Sequence, residues 1–162
     1  MAYILSAERR GTPGKVSESF ARYREYLRTH EDRFPAGVYK LATASWYFDL
    51  SDNRSPHDGR LIEMRLTERK VDEDTSESAL DLSIRLMNSY NDAEIEFSYT
   101  EVVNYALHLR DGDWGHRDWR YDEFRLSEDG HVIHEIEWSG PAETARWEIV
   151  ASDIRFRITP RR

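Results

Sequence analysis

Between Trp119 and Trp138 the chain reads WRYDEFRLSEDGHVIHEIEW, and it is here that reactive side chains crowd together. Asp122 and His134 form the first pairing of interest. A carboxylate beside an imidazole favours the charged ring and orients its tautomer, as a general base requires. Glu123, Glu135 and Glu137 form the second. Close carboxylates drive their acidities apart and can divide acid and base duties, or hold a divalent cation. The competing reading of both groups is a two-stranded ribbon with one wet and one dry face, its buried polar pair satisfied internally.

Which side chains meet depends on the turn Ser127-Glu128-Asp129-Gly130-His131. A two-residue Asp-Gly loop would set Phe124 opposite Glu135 and Asp122 opposite Glu137. A three-residue loop with Gly130 in the left-handed region instead pairs Leu126 with Val132, Phe124 with His134, Asp122 with Ile136 and Arg120 with Trp138. The second register gathers Phe124, Leu126, Val132, Ile136 and Trp138 on one face, and a one-residue slip would scatter them, so burial selects it. Asp122 and His134 are then diagonal neighbours on the apolar face. Glu123 falls opposite Glu135, which is unfavourable unless water, an arginine or a metal intervenes.

Other candidates lie in loops. His57 and Asp58 in SPHDG follow the aromatic pair Trp46-Tyr47 and could line a pocket mouth, although Asp and Gly there also suit an ordinary turn. Trp114 and Trp119 flank a third aromatic loop, and a solvent-facing Trp usually packs or binds. The candidate catalytic residues are thus Asp122, His134, His57 and Asp58. The candidate binding residues are Trp46, Tyr47, Trp114, Trp119, Glu123, Glu135 and Glu137. There is no cysteine, no G-x-S-x-G, no HExxH and no Gly-rich phosphate loop before a helix, so neither a metal nor a cofactor is expected.

Positioning these residues requires a scaffold. One convincing helix carries Val16, Phe20, Tyr23 and Leu27 on a single stripe, with Ser17 as N-cap and Phe34-Pro35-Ala36-Gly37 as its stop. Beyond it the chain reads as strand. Val38–Phe48 is β-prone; Ile62, Met64 and Leu66 alternate; so do Leu80, Leu82, Ile84 and Leu86. A long run holds Ile95, Phe97, Tyr99, Val103, Tyr105, Leu107 and Leu109 in one phase. Glu101 interrupts that phase and predicts a bend or a division into two strands, as Ser152-Asp153 does near the end. Connections are too short for helical crossovers. The expected fold is α+β and mainly β: one N-terminal helix on a twisted, part-closed antiparallel sheet of seven or eight strands. A single domain spanning residues 1–162 is expected, with 1–14 loosely attached.

Composition narrows the function classes. The 162 residues carry a net charge of −8 with 33% charged and 39% hydrophobic side chains. A nucleic-acid surface would need the opposite sign, and no apolar run approaches membrane-spanning length. If the charge serves binding, the partner is basic; the competing reading is solubility alone. The absence of cysteine and of an apolar leader in MAYILSAERR points to the cytoplasm. An exposed strand edge pairing with a second copy is a further expectation.

The WYFD and PHD segments, the middle section RLMNSYNDAEIEFSYTEVVNYAL, the hairpin DWRYDEFRLSEDGHVIHEIEW and the later WEIVASDI together resemble a group of small uncharacterised bacterial proteins. The resemblance runs from about Phe34 to Ile158 and implies a single-domain fold without a mechanism. Size and acidity further match the immunity partners of basic toxins by analogy. The leading expectation is a non-enzymatic binding protein, and its rival an enzyme built on Asp122/His134 and His57/Asp58.

Overall fold

The structure is a computed structural model that describes residues 1–6, 13–74, 76–109, 115–139 and 145–161. Helix α1 spans Pro13–Thr29, a single 3-10 turn covers Glu31–Arg33, and helix α2 covers Ala36–Ala42. Six strands follow: β1 (Arg60–Lys70), β2 (Ser78–Met87), β3 (Ala93–Leu107), β4 (Trp119–Leu126), β5 (Val132–Trp138) and β6 (Ala145–Pro160). They form one antiparallel sheet in the order β1-β2-β3-β6-β5-β4. No helix among the described residues is long and apolar enough to cross a membrane.

The helical expectations need correction at several points. α1 opens at Pro13, where a proline's missing N–H is no loss, so Ser17 lies inside the helix and is not its cap. It ends at Thr29, before the expected Pro35 stop. Pro35 instead precedes a second helix, and the strand expected over Val38–Phe48 does not form. Val38, Leu41 and Ala42 are all buried, a helical i, i+3, i+4 pattern that β-prone side chains concealed.

The sheet has six strands, not seven or eight. Besides the lost strand, β3 and β6 each pass through their expected bend without dividing. Glu101 adopts φ 53°, and the register slips by one residue between Val102 and Asn104, opposite Ala151 and Val150. The β3–β6 ladder resumes beyond the slip and runs from Ala93↔Pro160 to Leu107↔Trp147. A bulge bends a strand without ending it.

That bend carries one part of the sheet over another. The ring of Phe97 on β3 stacks on Trp119 of β4 at 5.2 Å, although three ladders separate the two strands in sheet order. The sheet is open in ladder order, yet its outermost strands meet at one corner. Arg60 and Asp118 form an isolated bridge, Asp58 N–H donates to Trp119 O (2.7 Å), and Trp119 N–H donates to Gly59 O (2.8 Å). Gly59 fits there because a Cβ would lie 2.7 Å from Pro56 O.

The β4–β5 hairpin has the register that burial selects, with Gly130 at φ 86° and Leu126↔Val132, Phe124↔His134, Asp122↔Ile136 and Glu123↔Glu135 in place. At its open end a bulge between Trp119 and Tyr121 sets Trp119, not Arg120, opposite Trp138. The shift keeps both indoles fully buried.

α1 covers the outer edge of β4. Tyr23 Oη accepts from Phe124 N–H (2.7 Å) and donates to Phe124 O (3.1 Å), while Tyr26 Oη accepts from Leu126 N–H (2.9 Å). Tyrosine hydroxyls thus take the place of a neighbouring strand and keep this edge from pairing elsewhere. Of the segment expected to be loosely attached, the described residues 2–5 pack against the core. Ile4 and Leu5 are buried, and the Tyr3 and Leu5 amides donate to the Glu123 carboxylate.

Tyr23→Phe leaves the buried Phe124 amide without its acceptor, which costs about 1–3 kcal/mol. Urea denaturation is expected to show that loss with an unchanged slope, and a smaller loss for Tyr26→Phe, whose ring is partly exposed. Equal or negligible losses would contradict edge capping by Tyr23.

Candidate functional site

Asp122 sits at the centre of a polar network inside the core. Its Oδ2 accepts from Tyr47 Oη at 2.6 Å and faces His134 Nε2 at 2.8 Å; its Oδ1 accepts from the Trp119 indole N–H at 3.1 Å. The far nitrogen of His134, Nδ1, lies 2.8 Å from Tyr99 Oη. Asp122 is 2% exposed and His134 is fully buried, between the rings of Phe124 at 4.2 Å and Phe97 at 5.3 Å.

Each partner arrives by a separate route. Alternation along β4 and β5 turns Asp122 and His134 inward, and β3 delivers Tyr99 from its apolar phase. Tyr47 comes from the turns after α2, where Ser55 Oγ donates to the Tyr47 carbonyl at 2.8 Å. Burial pushes the Tyr47 and Tyr99 hydroxyls well above the usual tyrosine range, and the Asp122 charge pushes them further. Both therefore remain proton donors. If Tyr99 donates to Nδ1, a neutral His134 ring is the Nε2–H tautomer that faces Asp122. In that arrangement each carboxylate oxygen and each ring nitrogen has a protein partner.

His57 and Asp58 lie close to this network without joining it. Asp122 and His57 line the same cleft with Tyr47, Phe48, Pro56 and Trp119, a space of about 10 Å³. That is roughly the room one water needs. His57 Nδ1 is 3.2 Å from Asp58 Oδ1 but is not aligned for a hydrogen bond, and Asp58 faces solvent. Of the four candidate catalytic residues, Asp122 and His134 are in contact, His57 borders the same cleft, and Asp58 points away.

The acid face is enclosed, which corrects its expected role as an open contact surface. Glu123 and Glu137 are fully buried. Glu123 takes the Tyr3 and Leu5 amides and lies 2.9 Å from Arg125 Nε. Arg125 also bonds Glu135, directly opposite Glu123, so an arginine relieves the like-charge clash. Arg146 bonds Glu135 at 2.8 Å, reaches Glu137 at 3.5 Å and donates to Leu5 O. Arginines of β4 and β6 thus bridge the acids of β4 and β5, and the backbone of Tyr3 and Leu5 closes over them.

The aromatic candidates are likewise packed inward. Trp119 and Tyr47 are buried, and Trp46 is partly buried against Phe156 at 5.5 Å with the Arg54 guanidinium 5.0 Å from its ring centre. Trp114 lies outside the described residues. Sequence reasoning missed Tyr99, Arg125 and Arg146 as members of these networks. Tyr99 did give a signal, since a tyrosine in the buried phase of a strand needs a partner for its hydroxyl.

Comparison with protein-family models, with curated proteins and with solved structures finds no match.

Removing one member of a buried polar pair strands the other, so Asp122→Ala should destabilise the protein by roughly 3–5 kcal/mol. Tyr99→Phe, which removes one hydrogen bond, should cost about 1–2 kcal/mol. Calorimetry or denaturant unfolding ranks the two, and a mild Asp122→Ala would contradict the hub. Glu123 supplies a pH test. Desolvation raises its carboxyl above the ordinary glutamate value, outweighing the two amides and Arg125. Folding then favours its protonated form, so its unfavourable contribution sets in as pH rises from the unfolded value through the raised one. Across that window, the stability of Glu123→Gln should improve relative to wild type and then level off; a difference moving the other way would contradict the raised value.

Proposed function

We propose that this chain is a non-enzymatic cytoplasmic interaction protein whose contact element is the distal part of the β1–β2 hairpin. One observation carries the reading. From Met64 through Glu77 every described residue is exposed, and this hairpin extends past the end of its support. β2 pairs with β3 only from Leu82 to Met87, whereas β1 and β2 remain paired out to Lys70↔Ser78. The tip carries Val71, which is 56% exposed, together with Asp72, Glu73, Asp74 and Glu77.

An acid-rich tip with an apolar residue at its base suits a basic protein partner, in keeping with the net charge of −8. An immunity-type role, in which the acidic tip meets a cationic toxin surface, is the form of this reading that size and charge favour. The rival enzyme on Asp122, His134, His57 and Asp58 would need substrate beside a dyad whose polar atoms already have protein partners, in a cleft of about 10 Å³. The interaction reading is preferred for that reason.

The test is affinity capture from the native cell extract with tagged wild type, a tip variant (Asp72→Lys, Glu73→Lys, Asp74→Lys) and Tyr99→Phe. A basic protein retained by wild type and Tyr99→Phe but released by the tip variant is the expected result. Retention by the tip variant, or no basic protein on wild type, would overturn the proposal.

A further inference from the structure

The two outer strands of the sheet are treated differently. β4 has its edge capped by Tyr23 and Tyr26, whereas β1 has a bridge to Asp118 at Arg60 and no ladder partner on that side from Leu61 to Lys70 among the described residues. Its apolar residues are also uncovered: Ile62 is 40% exposed, Met64 36% and Leu66 40%. Met64 and Leu66 stand opposite the buried Ile84 and Leu82, so they continue the inner face of the sheet beyond its last covered strand. An exposed edge of this kind is a template for another strand.

We infer that a second copy of this chain occupies the β1 edge, its β1 antiparallel to the first about a two-fold axis at Met64. The sequence of β1 is complementary to itself in that register. Directly opposed residues share a face in an antiparallel pair. Ile62 then meets Leu66 twice, Met64 meets Met64, and Glu63 meets Arg65 twice. Centring on Arg65 would oppose two arginines, and centring on Leu66 would set Ile62 against Lys70 and Met64 against Glu68.

The charges on β1 do not prevent this pairing. Glu63 already lies 3.1 Å from both Arg65 and Arg85, and Arg69 lies 2.7 Å from Asp81, so the charges that would repel an incoming strand are already matched. Asp118 occupies the edge at Arg60 and a bulge interrupts β1 between Leu61 and Glu63, which together confine the new ladder to Ile62–Leu66 and make the dimer a weak, concentration-dependent one. Isologous pairing closes on itself and leaves no β1 edge for a third chain. The acidic tip lies outside this ladder, so the inference does not depend on what the tip binds.

The chain has no cysteine, so one substitution supplies a unique thiol. Three proteins are compared by light scattering over a wide concentration range: wild type, Met64→Lys and the acidic-tip variant. Wild type and the tip variant should pass from one chain to two as concentration rises, while Met64→Lys, which opposes two ammonium groups, should remain a single chain. Met64→Cys treated with a short bismaleimide should be captured as a covalent dimer, and Asp129→Cys, on the distant β4–β5 turn, should not. A wild type of one-chain mass throughout, a dimer untouched by Met64→Lys, or failure of Met64→Cys to cross-link would overturn the inference.

Discussion

One carboxyl side chain placed inside the core organises this protein. A carboxylate removed from water is unfavourable by several kcal/mol unless its lone pairs are occupied. Asp122 meets that requirement by drawing one donor from the turns after α2, one from the start of its own strand and the His134 ring from β5. His134 passes the demand on to Tyr99 on β3. Segments remote in the chain are thereby given one mutual arrangement, which apolar packing alone would specify less sharply.

The same need for polar satisfaction recurs at the surface of the β4–β5–β6 region. Glu123 recruits two amides from the first residues of the chain, and Arg125 and Arg146 cross-link the acids on the neighbouring strands. A face that alternation alone marks as wet is therefore closed by long-range partners. The β1–β2 tip differs from this face, since its Asp72, Glu73, Asp74 and Glu77 are all exposed.

The parts of this structure legible from the chain were those set by local pattern. The Gly130 corner fixed the register of β4 on β5 because a slip would have moved Phe124 and Ile136 to the wrong side, and both are fully buried. The Asp122–His134 contact followed from that register. Helix α2 escaped because Val38 and Tyr39 have β-prone side chains, and seven residues give too short a window for a period to stand out. Glu101 and Ser152-Asp153 were visible as phase breaks, but a break does not tell whether a ladder ends or merely bends. Partners such as Leu5 for Arg146 or Tyr23 for Phe124 lie more than a hundred residues apart, and no local pattern encodes them.

The Asp122 hub is a sealed structural element, and solvent exchange of its protons measures that most directly. In nitrogen-resolved NMR of the wild-type chain at neutral pH, the Trp119 indole proton and the His134 ring proton facing Asp122 should both be visible and exchange with water far more slowly than in free side chains. Exchange at the free side-chain rate, with the ring proton lost to solvent, would mean that water reaches the dyad and would contradict the structural role assigned to it.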